Sequence, residues 1–184
     1  MATLIDRISK QLQAGGYQQR SAQARKWLQK EVATAALSPN IRGSSILRDD
    51  VRKVYSITPG KLYFYVYDPK TKEKLPFYDS FPLVLPIDIY AGGFMGLNFH
   101  YISPKERIAL MDKLYETATN KNFNENTRIT VSYDILKNVS KFSTFKPCLK
   151  KYLNGHIRSD IIEISAEYWE VALMLPVEKF VYKQ

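Results

Sequence analysis

The segment KLYFYVYD, residues 61–68, alternates Leu62, Phe64 and Val66 with Tyr63, Tyr65 and Tyr67. Period two marks a β-strand, because successive side chains leave the backbone on opposite faces. One face is free of tyrosine and the other is all tyrosine, and both demand cover. The strand therefore belongs to a packed sheet. Its surroundings extend the aromatic theme: twelve of the chain's 22 Tyr and Phe residues lie between Tyr55 and Tyr101, whereas residues 1–54 hold only Tyr17 and Trp27.

After the polar turn DPKTKEK, the run LPFYDSFPLVLPIDIY is interrupted by Pro76, Pro82 and Pro86. Proline donates no ladder hydrogen bond, so this run predicts short edge strands or extended segments rather than a central strand. AGGFMGLNFHYI follows, with glycines suited to turns or a bulge before a short strand that sets Leu97, Phe99 and Tyr101 against Asn98 and His100. Ser103-Pro104-Lys105-Glu106 is the clearest helix start. Ser103 caps, Pro104 occupies the first helical position, and Glu106 completes a capping box. Beyond this helix the sequence predicts a strand in RITVSYD, short helices in DILKNVSKF and KPCLKKYLNGH, a strand in DIIEIS and a helix in AEYWEVALML.

The N-terminal part differs. Residues 1–56 carry ten of the 27 Lys and Arg and four of the 18 Asp and Glu, so six of the nine surplus positive charges lie there. Leu4, Ile5, Ile8 and Leu12 recur at helical spacing and Gly15-Gly16 stops that helix; Ala24, Leu28, Val32 and Ala35 define a second, starting near Ser21. SPNIRGSSILRDDVRK (38–53) reads as an extended connector that orders against a partner. The expected organisation is a basic helical arm and connector, 1–56, and a compact α+β body, 57–184. The body holds a small antiparallel Tyr- and Phe-rich sheet, with helices in its C-terminal half.

Few reactive groups stand at catalytic spacings. His100 and His156 form no metal-binding pattern, and Cys148 follows Pro147 without a nearby His, so no metal, cofactor or nucleophile is expected. Asp68, Asp79 and Asp88 could form a carboxylate nuclease site, with turn roles as the plainer reading. Gly92, Gly93 and Gly96 lack the order of a phosphate-binding loop and are read as turn glycines. A single cysteine, no stretch long enough for a membrane span and no basic, apolar and small-residue leader pattern predict a soluble, unexported chain.

Two binding readings remain. In the favoured one, Arg20, Arg25, Lys26 and Trp27 of the arm, and Tyr63, Tyr65, Tyr67, Phe94 and His100 of the body, contact neighbouring proteins. In the other, the basic arm neutralises DNA phosphates and tyrosines stack on bases.

GKLYFYVYDPKTKEKLPFYDSFPLVLPIDIYAGGFMGLNFHYISPKERIALMDKLY (60–115) resembles a virion protein family of large contractile-tailed bacteriophages. SYDILKNVSKFSTFKPCLKKYL, HIRSDIIEI and EYWEVALMLPVEKF extend the resemblance to about 125 of 184 residues. The arm shares it loosely, through GGYQQRSAQARKWL. Members are described as DNA-end protectors or as structural proteins. The resemblance implies a non-enzymatic virion component made in the host cytoplasm and built into the tail, baseplate or head-tail junction. Its partners are other virion proteins in a symmetric assembly, with DNA reached through the basic arm and no small-molecule substrate. The alternative is a DNA-end-binding protector or head-completion protein.

Overall fold

The computed structural model describes residues 4–36, 52–118, 120–124, 126–127, 134–135, 138 and 145–183. Its strands, in chain order, are β1 (Lys53–Val54), β2 (Leu62–Phe64), β3 (Phe77–Asp79), β4 (Leu83–Tyr90), β5 (Gly93–Asn98), β6 (Leu149–Leu153), β7 (Ile161–Ile164) and β8 (Phe180–Tyr182). The helices are α1 (Leu4–Ala14), α2 (Ala22–Ala36), α3 (Pro104–Ala118) and α4 (Trp169–Met174). Six strands form one antiparallel sheet in the order β1-β7-β2-β4-β5-β6, and β3 pairs with β8 in a separate ribbon. The fold is α+β.

The alternation in β2 organises two layers of core. Leu62 and Phe64 join Leu83, Leu85, Leu97, Ile162 and Ile164 beneath the helices. Tyr63, Tyr65 and Tyr67 turn the other way and pack with Val84, Phe94 and Tyr152. The rings of Tyr65 and Tyr152 meet edge to face at 5.7 Å, and Phe94 stacks on Tyr152 at 5.2 Å. Such pairs add roughly 0.5–1.5 kcal/mol beyond the area they bury.

Both helices of the expected arm enter this core. Ile5, Ile8 and Leu12 of α1 and Ala24, Leu28 and Val32 of α2 belong to the same cluster as the sheet and α4. Tyr17 N–H donates to the Leu12 carbonyl across the Gly15-Gly16 stop, and Gly16 has φ 71°, where a side chain is disfavoured. The start of α3 follows its sequence signal: the Ser103 N–H donates to Glu106 Oε2 at 2.9 Å and the Glu106 N–H to Ser103 Oγ at 3.4 Å.

Three expectations are corrected. The proline-broken run supplies β4, an eight-residue strand between β2 and β5 rather than an edge segment. The register shifts between Pro86 and Asp88, so a bulge accommodates the missing donor, while the Pro86 carbonyl still accepts from the Gly60 N–H. The strand expected through Tyr101 ends at Asn98, and Phe99–Tyr101 form a 3-10 turn whose His100 N–H donates to Asn98 Oδ1. KPCLKKYLNGH is not a helix: Leu149–Leu153 pair with β5, between 3-10 turns at Lys146–Cys148 and Asn154–His156. Gly93 permits that pairing, since a Cβ there would lie 2.1 Å from the Tyr152 carbonyl oxygen. The connector 38–51, the strand in RITVSYD up to Tyr133 and most of the helix in DILKNVSKF lie outside the described residues.

Candidate nucleic-acid interface

At the β6 edge of the sheet, a cleft of about 720 Å³ opens between edge strand β6, the 69–78 loop and the start of β3. β6 contributes every residue from Leu149 to Leu153 to its wall. Lys150 and Lys151 come from that strand and Lys70 from the facing loop. Tyr67, Tyr78, Tyr90, Tyr101 and Tyr152 line the same space. Among the described residues, none of these lysines is ion-paired with a carboxylate, whereas Lys53, Lys61 and Lys72 each are. Lys150 Nζ lies 4.0 Å from the centroid of the Tyr101 ring, a cation–π contact. Burial lowers its pKa, so its charge is incompletely solvated where it stands.

Beneath the cleft, Asp79 is a junction rather than a free carboxylate. Its Oδ1 accepts from the Phe81 and Lys179 N–H groups at 3.0 and 3.1 Å. Its Oδ2 accepts from Asn98 Nδ2 at 3.2 Å and from His100 Nδ1 at 2.5 Å. Burial opposes ionisation, but the bonds from His100, Phe81 and Asn98 outweigh it and hold the Asp79 pKa below its ordinary value. The Asp79 N–H donates to the Tyr101 hydroxyl at 3.2 Å, which seats the cleft's central ring. Burial pushes that hydroxyl up to about 12, so it stays protonated. Asp88 is the exposed carboxylate on the wall, one against three lysines.

The residues singled out in the sequence divide among three places. Tyr63, Tyr65 and Phe94 are at most 1% exposed and hold the sheet together rather than presenting a surface. His100 is buried beside Asp79, and Tyr67 reaches the cleft as a largely buried ring. In the N-terminal helices, Arg25 Nη2 binds both oxygens of Asp112, at 2.6 and 2.8 Å, and its Nε binds Glu170 at 3.0 Å. Arg20 covers the Tyr115 ring at 4.0 Å and Trp27 packs against Tyr17. Among the described residues, Lys26 is the member of this group that is exposed with no hydrogen bond or ion pair. Of the three acids weighed as a nuclease site, Asp68 pairs with Lys72, and Asp79 is consumed as above. Among the described residues, no group of three or more His, Cys, Asp or Glu side chains is placed to hold a metal ion, and no helix is long and apolar enough to cross a membrane.

Sequence reasoning missed Lys70, Lys150, Lys151, Tyr78, Tyr90 and Tyr101 as one site. The available signal is the Lys150-Lys151-Tyr152 run, which a helical reading of LKKYL obscures.

The arrangement defines an α+β protein with a basic, tyrosine-walled cleft on an edge of its sheet. Residues 4–184 match the family model described as Phage T4 terminal DNA protecting protein. The chain belongs to that bacteriophage family. No curated protein and no solved structure matches it.

Proposed function

We propose that this protein is a non-enzymatic protector of DNA ends, and that its cleft is the DNA-contacting surface. Three lysines with no carboxylate partner among the described residues, set among tyrosines in one concavity, carry the reading. Lysine neutralises phosphate and releases counterions, while tyrosine faces stack on bases without regard to sequence. Family membership supports end protection over the purely structural tail role expected from the sequence. The lysine cleft also moves the expected DNA contact from the N-terminal helices to the body. The protein acts in the virion beside other particle proteins, and the head-tail junction, where DNA end and protein shell meet, is the position that suits both.

The test compares end-labelled linear duplex with hairpin-closed duplex by fluorescence anisotropy across a salt series, with exonuclease digestion in parallel. Wild-type protein should prefer free ends, shield them and return the DNA at full length. Combined Lys70→Gln, Lys150→Gln and Lys151→Gln should weaken end binding at least tenfold and flatten the salt slope by about 2, given roughly 0.7–0.9 per neutralised phosphate. Equal binding to closed and free ends, or an unchanged triple variant, would overturn the proposal. Particles stripped of accessible DNA should retain the protein if neighbouring virion proteins hold it, and its release would remove that part.

A further inference from the structure

The size and walls of the cleft bear on which form of DNA end it takes. Its volume of about 720 Å³ lies in the range of roughly 300–1,000 Å³ that encloses one drug-sized molecule. One or two nucleotides are of that size. A duplex spreads its recognition over a protein surface of roughly 1,000–2,500 Å², and at a blunt end it offers for stacking only the outer face of one whole base pair. The rings here stand inside a concavity. Tyr78 and Tyr101 are half-buried and line it.

We infer that the cleft seats the last one or two unpaired nucleotides of a DNA strand, bases against Tyr78 and Tyr101 and phosphates on Lys70, Lys150 and Lys151. The ligand is then an overhanging or frayed end, not a blunt one. This rests on the reading of the cleft as the DNA site.

Lys150 gives the seat a moving part. Its ammonium covers one face of Tyr101, while Phe77 stacks against that ring at 5.7 Å and Phe180 meets it edge-on at 5.1 Å. A phosphate offers the half-buried ammonium a full counter-charge. When Lys150 turns to it, the ring face it leaves is open to a base. Asp79 meanwhile holds the Tyr101 hydroxyl through its N–H and keeps the ring in register. The displaced contact is a cation–π pair and the gained ones are an ion pair and a stacked base, so the exchange favours the bound state.

Four ligands share one duplex in the experiment: blunt, with a two-nucleotide 3′ overhang, with a two-nucleotide 5′ overhang, and hairpin-closed. Anisotropy with the full chain should show at least one overhang binding about tenfold tighter than the blunt end, the lower part of the range for one stacked base. Tyr78→Leu should erase that advantage, bringing overhang affinity down to that of the blunt end. Tyr101→Leu, which removes the other stacking ring, should do the same. Thermal melting of each variant separates lost stacking from lost folding. If blunt and overhanging ends bind alike while the lysine variant still fails, the cleft binds DNA and the unpaired-strand inference is wrong. If Tyr78→Leu melts as wild type and keeps the full overhang advantage, the inference is also wrong. If the closed duplex binds as well as every free end, the proposed function falls and the inference with it.

Discussion

Asp79 shows how much one side chain carries. It ties β3 to Lys179 just before β8, fixes Asn98 and His100 at the end of β5, and seats Tyr101 through its own N–H. Removing a buried charged acceptor costs about 1–3 kcal/mol or more, because its donors are left unpaired. Asp79→Ala should therefore lower stability by about that much in urea titration, and Asp79→Asn by less, since an amide oxygen still accepts. The pH dependence has a definite sign. A carboxylate whose folded pKa lies below its ordinary 3.8 contributes stability fully above that value and loses it as pH falls through the folded value. Between neutral pH and about pH 4 the contribution should be constant, and below that wild type should lose melting temperature faster than Asp79→Asn. Parallel acid melting curves for the two proteins would remove Asp79 from this role. The sequence contained the residue but not the role. Asp79 was legible as a turn acid, because its partners arrive from positions 98, 100 and 179, which no local pattern brings together.

Elements written in local chemistry were readable. β2 declared itself by alternation, α3 by its capping box, and the end of α1 by paired glycines, each a signal within a few residues. β6 had no such signal. Leu149–Leu153 lie more than fifty residues after β5, and only the pairing of Gly93 to Leu97 with Leu153 to Leu149 makes them a strand. Tertiary pairing overrode the local helical reading, and with it the cleft stayed hidden, since Lys150 and Lys151 line it only from a strand edge. Gly93 is where that pairing can be broken. Gly93→Ala places a methyl 2.1 Å from the Tyr152 carbonyl oxygen, a backbone atom that cannot rotate away. Stability should fall by about 3 kcal/mol, within the range of strained core substitutions. Hydrogen exchange should locate the opening at β5 and β6, and DNA-end affinity should fall as the β6 wall shifts. Gly155→Ala, with nothing within 4 Å of its new carbon, should change neither, and equal effects at both glycines would show that the close approach at Gly93 is unimportant.

At the scale of the whole molecule, part of the positive charge that distinguishes the first 56 residues is used inside the fold, while Arg7, Lys10, Lys26 and Lys30 stay exposed. Arg25 joins α2 to Asp112 of α3 and Glu170 of α4, Arg52 binds Asp6, and Lys53 binds Asp160. Asp112 and Glu170 of the body answer Arg25 of α2, whereas, among the described residues, Lys70, Lys150 and Lys151 of the cleft have no carboxylate partner. Arg25→Gln separates these two uses of positive charge. Its bonds are charge-assisted and bidentate, but its side chain is 25% exposed and Asp112 36%, so the loss should be about 1–2 kcal/mol rather than that of a buried pair. Amide exchange should speed up in 4–36 before it does in the sheet, because the clamp holds α2 on α3 and α4 while β2, β4 and β5 are held by their own ladder. End-binding affinity of the folded variant should stay within about twofold of wild type, since Arg25 is not among the residues that line the cleft. A tenfold loss of DNA affinity in Arg25→Gln, with the melting temperature scarcely changed, would instead put the N-terminal helices at the DNA and return the cleft lysines to solvent.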